Sequence, residues 1–400
     1  MLYIRTNNRE GKGRRGFVKL NRLKRANRIS FIILTLFLLT LLLSACTNKE
    51  QTKHKIPAKN ERPKVSITSI VREWKLPISI PEGEGEFYKL VGWFSDTEVL
   101  YITNLEQTSS IFRYNLLSGK SKLIYKSGNP IVTVQISPSK KYLLVHSSPS
   151  SYEGLVTIID PKGTEQIKKS FASYELVFEW NPYNESEVFV SKFDQDWSFQ
   201  LFLLEMKKAK TTEIFLPQPF VKWINERDIA FLNWDKQNPS LFAPLTVKGL
   251  ENGTKKTVVP SAIHFSTFQD LLMTITVNEQ DQSKATYSFF EKEMKKLSAF
   301  SIPQLTKFSD WLVPFFDYNE QKKQFITFSP RTSGELDSYS EGFQLLSYDH
   351  KKGSSKLIME GLKNEPINFS PSGEALLYGN RFEKMIDINA KKIYELIKEK

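Results

Sequence analysis

A chain of 400 residues with 29 Phe, 15 Tyr and 7 Trp, its Gly and Pro spread rather than clustered, excludes global disorder and suits one large domain with many turns. The formal net charge of +12 invites a nucleic-acid partner, but residues 1–45 hold ten Lys/Arg and one acid, which leaves 46 bases against 43 acids elsewhere. A near-neutral body lacks the electrostatic footprint that nucleic-acid affinity rests on, and the single cysteine, Cys46, excludes an internal disulfide, a thiolate metal cluster and dithiol redox chemistry.

The first element in chain order is a leader. Arg22, Lys24, Arg25 and Arg28 precede a 13-residue apolar run at 31–43, and Ser44, Ala45 and Cys46 follow it. A basic segment, a short apolar core and small residues at the cut make a secretory signal, and the run is shorter than the roughly 20 residues a spanning helix needs. Leu43-Ser44-Ala45-Cys46 resembles the bacterial lipobox at all four positions. The resemblance implies cleavage between Ala45 and Cys46, a diacylglycerol on the Cys46 sulfur, and a lipid-anchored protein at the cell membrane, facing outside the cytoplasm. Gly11-Lys12-Gly13-Arg14-Arg15-Gly16 adds charge that a signal does not need and reads as a translated ribosome-binding site, with Val18 as a GTG start. Codons poor in purines there would overturn that reading. Residues 46–64 are polar apart from Ile56 and read as a disordered tether in which His54 is a solvated residue. The folded domain is expected over 65–400.

From about residue 85 the chain shows short alternating segments broken by turn residues, the pattern of antiparallel strands. A unit recurs: an apolar strand ending in an anchor, a tight polar turn, then a strongly hydrophobic second strand. Seven copies are legible, at 90–93 with 99–102, 134–136 with 142–145, 178–180 with 188–190, 221–223 with 229–232, 263–265 with 271–273, 313–316 with 325–328, and 367–369 with 375–378. The anchors Trp93, Ile136, Trp180, Trp223, Phe265, Phe316 and Phe369 are spaced by 43, 44, 43, 42, 51 and 53 residues. A period of about 40 to 50 residues with four strands per unit is that of a β-propeller. This all-β reading favours seven four-stranded antiparallel blades, or six if one of the two long spacings conceals a miscounted unit. Both 72–78 and 392–397 are able to supply the last blade's outer strand.

Ile136-Ser137-Pro138-Ser139-Lys140-Lys141 and Phe369-Ser370-Pro371-Ser372-Gly373-Glu374 resemble the aromatic-Ser-Pro-Asp-Gly-Lys turn of Tol-B-like (WD40-like) propeller repeats, with Ser in place of the usual Asp; Trp180-Asn181-Pro182 is a weaker echo. The resemblance implies the fold and no site. Together with the lipobox, it makes the chain over roughly 70–400 similar to propeller lipoproteins of Bacillus-like bacteria, the YqgU type.

Catalytic constellations are scarce: no Gly-x-Ser-x-Gly elbow, no His-Glu-x-x-His and no phosphate loop occur. His146, His264 and His350 each have a plain structural reading, and Asp194, Asp196 and Asp235 lack the spaced carboxylates and Gly of a calcium loop. No catalytic residue, metal or cofactor is therefore assigned, and the expectation is a non-catalytic binding or scaffold module for a protein, peptide or glycan. The alternative is a cell-envelope hydrolase or lyase using channel carboxylates. Two sets of residues are candidates for function. The residues just before the anchors are Gly92, Gln135, Glu179, Lys222, His264, Phe315 and Asn368, and the five polar ones, Gln135, Glu179, Lys222, His264 and Asn368, are expected to line a wet axial channel or to pair between blades. The loops joining second and third strands, at 147–154, 194–198, 233–240, 278–284 and 329–342, read as long, and they carry Tyr152, Trp197, Trp234 and Tyr339 as a candidate binding face.

Overall fold

The computed structural model describes residues 69–398, apart from 236, 239 and 309. Ala45, Cys46, the remainder of the leader and the tether with His54 lie outside the described residues. The domain consists of seven four-stranded antiparallel sheets: blade 1 (86–127), blade 2 (131–172), blade 3 (175–213), blade 4 (222–262), blade 5 (264–303), blade 6 (316–362) and blade 7 (367–395). Within each, consecutive strands pair in chain order, once the two-residue strand Gly334–Glu335 inside blade 6, which joins a separate side sheet, is set aside.

Second strands are continuously apolar because both their faces are covered. In blade 1, Val99 and Tyr101 enter the core shared with blade 7, while Leu100 and Ile102 enter the core shared with blade 2. Blade 7 repeats this, with Ala375 and Leu377 toward blade 1 and Leu376 and Tyr378 toward blade 6. Alternate side chains of a strand point to opposite faces, so a sheet held between two others needs apolar residues at every position. Among the described residues seven apolar clusters result, one for each pair of neighbouring blades, and one of these pairs is blade 7 with blade 1. The ring is closed, and it has seven members. Each large side chain buried in these seams stabilises by roughly 1.5–3 kcal/mol. Trp223, stacked on Phe189 at 4.7 Å between blades 3 and 4, is one of the largest.

The two long anchor spacings conceal no extra or missing blade. They come from a side sheet of Leu305–Lys307, Asp310–Trp311 and Gly334–Glu335, placed between blades 5 and 6 and in the loop between the second and third strands of blade 6. The anchor expected at Phe316 is corrected to Tyr318, which is buried and pairs with Phe325 as Phe369 pairs with Leu376. Pro314 lacks a donor for the ladder, so the strand begins only at Phe316 and its anchor falls two residues later than the apolar run suggests.

Ring closure is resolved in favour of the C-terminus. Lys392–Glu395 is the outer strand of blade 7, whereas Ile70–Glu73 forms a short 3-10 turn and the following residues a strap across the seam. The strap is fastened on both sides: Ser69 Oγ donates to Asp387 Oδ2 at 2.6 Å and Ile78 N–H to the Leu396 carbonyl at 2.7 Å on blade 7, and Lys75 N–H donates to the Leu116 carbonyl at 2.6 Å on blade 1. Val71 and Ile78 enter the blade 7–blade 1 core, and Trp74 packs on Trp93 with ring centres 5.9 Å apart.

Candidate functional site

A four-stranded meander sends its connections alternately to two ends. The turns joining first to second and third to fourth strands form one face of the ring, here the turn face. The loops joining second to third strands, together with the connectors between blades, form the loop face.

On the innermost strands, the polar residues meet across blade boundaries. Lys222 Nζ lies 2.5 Å from Glu179 Oε2, linking blades 4 and 3. Gln135 Nε2 donates to the Phe178 carbonyl at 3.4 Å, linking blades 2 and 3. Asn368 Nδ2 donates to Asp317 Oδ2 at 3.3 Å, and the same oxygen accepts Phe369 N–H at 2.6 Å, linking blades 7 and 6. His264 stands edge-on to Phe316 at 5.7 Å. At Gly92 an added Cβ would lie 3.4 Å from Asn368 Oδ1 and 3.5 Å from Ile136 Cδ1, so glycine keeps that space open. Asp317 is the member of this set that the sequence missed, and it takes the place expected of Phe315, which is exposed outside the strand.

Burial sets the electrostatics here. It raises the Glu179 carboxyl above its ordinary range, and the Lys222 charge opposes the rise. It raises Asp317 to about 6 against the hydrogen bonds from Phe369, Tyr318 and Asn368, with Glu320 adding a like charge. Burial, followed by the Lys222 charge, holds the His264 imidazole down at about 4.

A cavity of about 520 Å³ opens on the turn face between blades 6, 7, 1 and 2. Gly92, Gln135, Lys140, Asp317, Glu320 and Asn368 all contribute to its lining, whereas Glu179, Lys222 and His264 do not. Around it the turns are latched by carboxylates from neighbouring blades. Glu185 of blade 3 accepts the N–H and hydroxyl of Ser139 in blade 2, Glu320 of blade 6 accepts Gln269 N–H of blade 5 at 2.7 Å, and Asp96 of blade 1 accepts Ser372 N–H of blade 7 at 2.6 Å. The Ser-for-Asp replacements in the two motif turns thus coincide with an acid that arrives from the next blade. Tyr183 extends the series, its hydroxyl 2.7 Å from the Ile224 carbonyl of blade 4 and 3.0 Å from that of Gln269 in blade 5.

On the loop face the four candidate aromatics separate into two kinds. Tyr152 and Trp197 are exposed, at 63 % and 62 %. Trp234 and Tyr339 are half-buried. Tyr339 is a scaffold residue of its own loop: its hydroxyl donates to the Gly342 carbonyl at 2.6 Å and accepts Arg331 N–H at 2.8 Å, and its ring stands against Phe343. The expected long loop at 147–154 is corrected to a two-residue turn at 151–152, because the flanking strands Leu143–Ser150 and Glu153–Ile159 run on to meet it. Around Trp197 the structure adds two aromatics that the sequence did not single out. Tyr174 lies edge-on to Trp197 at 6.1 Å, buried Phe193 lies beneath at 6.1 Å, and Phe220 packs on Phe193 at 5.7 Å. Tyr174 and Phe220, 52 % and 61 % exposed, belong to the inter-blade connectors just ahead of blades 3 and 4, a position to which strand periodicity is blind.

The remaining titratable groups fill structural positions. His146 is buried edge-on to Phe178 at 5.4 Å, and burial holds its imidazole at about 4. His350 is buried beside Phe289 and Tyr318. Asp194 pairs with Lys192 at 3.1 Å, Asp196 accepts Ser198 N–H at 3.0 Å, and Asp235 accepts Gln237 N–H at 2.8 Å. Among the described residues no group of three His, Cys, Asp or Glu side chains could hold a metal ion, and no helix is long and apolar enough to cross a membrane.

Comparison with known proteins adds the family. The model of the YqgU-like 6-bladed β-propeller domain matches residues 115–379. The uncharacterized lipoprotein YqgU of Bacillus subtilis (strain 168) is 24% identical over 370 residues, covering 92% of this chain and 97% of that protein. Among solved structures, an uncharacterized protein from Listeria monocytogenes EGD-e superposes with a TM-score of 0.74 at 24% identity, over 81% of this chain and 98% of that one. An oligogalacturonate lyase from Vibrio parahaemolyticus superposes with a TM-score of 0.51 at 9% identity, over 74% and 86%, a likeness of fold alone. The family description counts six blades; the matched segment here begins at the end of the third strand of blade 1 and stops within blade 7, and the whole ring has seven. On this match, the chain belongs to the YqgU-like β-propeller family.

Proposed function

We propose that this protein is a membrane-anchored, extracytoplasmic binding or scaffold module: lipid on Cys46 holds it to the cell membrane, and the propeller, without catalysis, presents its loop face to a protein, peptide or glycan. The lipobox at 43–46 and the lipoprotein name of the Bacillus subtilis relative support the anchor. The observation that carries the binding reading is Trp197. This large ring stands at a loop tip, 62 % exposed, on a backbone with φ +63°. Left-handed backbone costs an ordinary side chain roughly 1–2 kcal/mol, and strained residues and exposed apolar patches both concentrate where recognition is built. Tyr174 and Phe220 widen the patch.

The acids of the innermost strands support a non-catalytic role, since each is committed to protein partners: Glu179 to Lys222, and Asp317 to three N–H groups. The alternative hydrolase or lyase would need one of them to let go of its partners and reach a substrate. Crosslinking and pull-down from intact cells test the reading. Trp197→Ala and Tyr152→Ala are expected to reduce capture of the partner while melting within a degree or two of wild type. If both retain capture, or if a polymer-cleaving activity appears that Asp317→Asn abolishes, the reading is wrong.

A further inference from the structure

The loop-face reading leaves the turn-face cavity unused, and a separate observation bears on it. Lys140 ends the Ser137-Pro138-Ser139-Lys140 turn of blade 2, and its counterpart in the Ser370-Pro371-Ser372-Gly373 turn of blade 7 is a glycine. The two turns are built alike. Lys140 N–H donates to the Ser137 carbonyl at 2.8 Å and Gly373 N–H to the Ser370 carbonyl at 2.9 Å, with φ of +62° and +71°. Glycine adopts this conformation freely, whereas lysine adopts it against its Cβ. What the lysine brings to the position is a cationic side chain at the lining of the cavity.

That ammonium lacks a fixed partner. Lys323, also a lysine held left-handed in a first turn, is bound by Asp270 at 3.2 Å and Glu320 at 3.3 Å. No ion pair among the described residues holds Lys140; burial works against its charge, and Asp96 supports it from a distance. The acids of the lining are already occupied, Asp317 by three N–H groups and Glu320 by Gln269 N–H and Lys323. Among the described residues Lys140 is the one cation of the lining, and Gln135, Gln321, Asn368 and Ser370 supply neutral donors and acceptors around it.

We propose that this cavity binds a small hydroxylated monocarboxylate, a sugar acid, with its carboxylate on the Lys140 ammonium and its hydroxyls on the amides of Gln135 and Asn368. Asp317 and Glu320 share the lining, so a dianionic phosphate is repelled more strongly than a monocarboxylate, and a neutral sugar forms no ion pair with the ammonium. The volume of about 520 Å³ falls within the roughly 300–1,000 Å³ of small-molecule sites.

Calorimetric titration of the full chain in detergent with D-glucuronate, D-glucose and glucose 6-phosphate separates the three chemistries on one ring. Wild type is expected to bind glucuronate at least tenfold more tightly than the other two. Lys140→Arg should keep that binding within a few-fold, and Lys140→Gly should lose tenfold or more while melting at a higher temperature, because the turn then has the residue its backbone prefers. Glucuronate bound no better than glucose or glucose 6-phosphate, or not at all, overturns the proposal. So does a Lys140→Gly protein that keeps its affinity or melts lower than wild type.

Discussion

Asp96 in the first turn of blade 1 accepts the backbone N–H of Ser372 in blade 7 at 2.6 Å, across 276 positions of sequence. It joins the two ends of the ring without exchanging a strand between them, and it works beside the Trp93 indole, which donates to the Asn368 carbonyl at 3.0 Å across the same seam. A hydrogen bond to a charged acceptor contributes more than a neutral one, although the exposure of Asp96 reduces it. Asp96→Ala is expected to cost about 1 kcal/mol by thermal or denaturant unfolding. Asp96→Asn, which keeps an acceptor, should cost less. An Asp96→Ala protein as stable as wild type would remove the latch from the account of closure.

The innermost strands predict opposing pH effects. Asp317, raised by burial to about 6, keeps its proton in the folded state where the unfolded chain has lost it, so its contribution to stability is full below pH 4 and falls as pH rises to about 6. His264, held down at about 4, binds its proton less readily folded than unfolded, so its contribution rises over pH 4 to 6.5. The two slopes oppose one another over much of one window. Asp317→Asn should steepen the rise in stability with pH, and His264→Gln should flatten it, in melting series from pH 4 to 7. Slopes unchanged in both variants would mean that neither group is desolvated as described.

Much of this fold was legible because its second strands announce themselves: a run such as Val99-Leu-Tyr-Ile102 is apolar at every position only if both faces are covered, and seven such runs at a regular period leave few architectures. The errors have local causes. Val313-Pro-Phe-Phe316 is the more hydrophobic quartet, but Pro314 moves the strand two residues on, which hid Asp317 behind Phe315. For Tyr339, sequence shows that an aromatic lies in a loop but not that its hydroxyl is tied to Gly342 and Arg331. The blade-to-blade latches were illegible, since the acid and the N–H that meet are 46 or 276 positions apart.

Tyr339 and Trp197 consequently make a contrasting pair. Tyr339→Phe removes a hydroxyl that bridges two backbone groups of one loop, and should cost about 1 kcal/mol. Trp197→Ala removes a ring that is 62 % exposed and meets Tyr174 and Phe193 edge-on at a strained tip, so unfolding should report little change. The reverse order in unfolding midpoints would make Trp197 a core residue.

The strap yields a prediction about where the folded domain begins. Ser69 bonds Asp387, and Val71, Trp74 and Ile78 fill the seam between blades 7 and 1, so the residues needed to close the ring start at about 69 and not at the first strand, 86. A chain beginning at Ser69 is expected to melt like the full-length protein. A chain beginning at residue 81 keeps every strand of the seven blades, yet it exposes the seam side chains that the strap covers and loses the bond from Ile78 N–H to Leu396. With roughly 1.5–3 kcal/mol for each large side chain withdrawn from the core, the loss should be on the order of 5 kcal/mol, enough to lower the melting temperature by roughly seven degrees. Equal melting temperatures for the two truncations would show that blades 7 and 1 close without the strap.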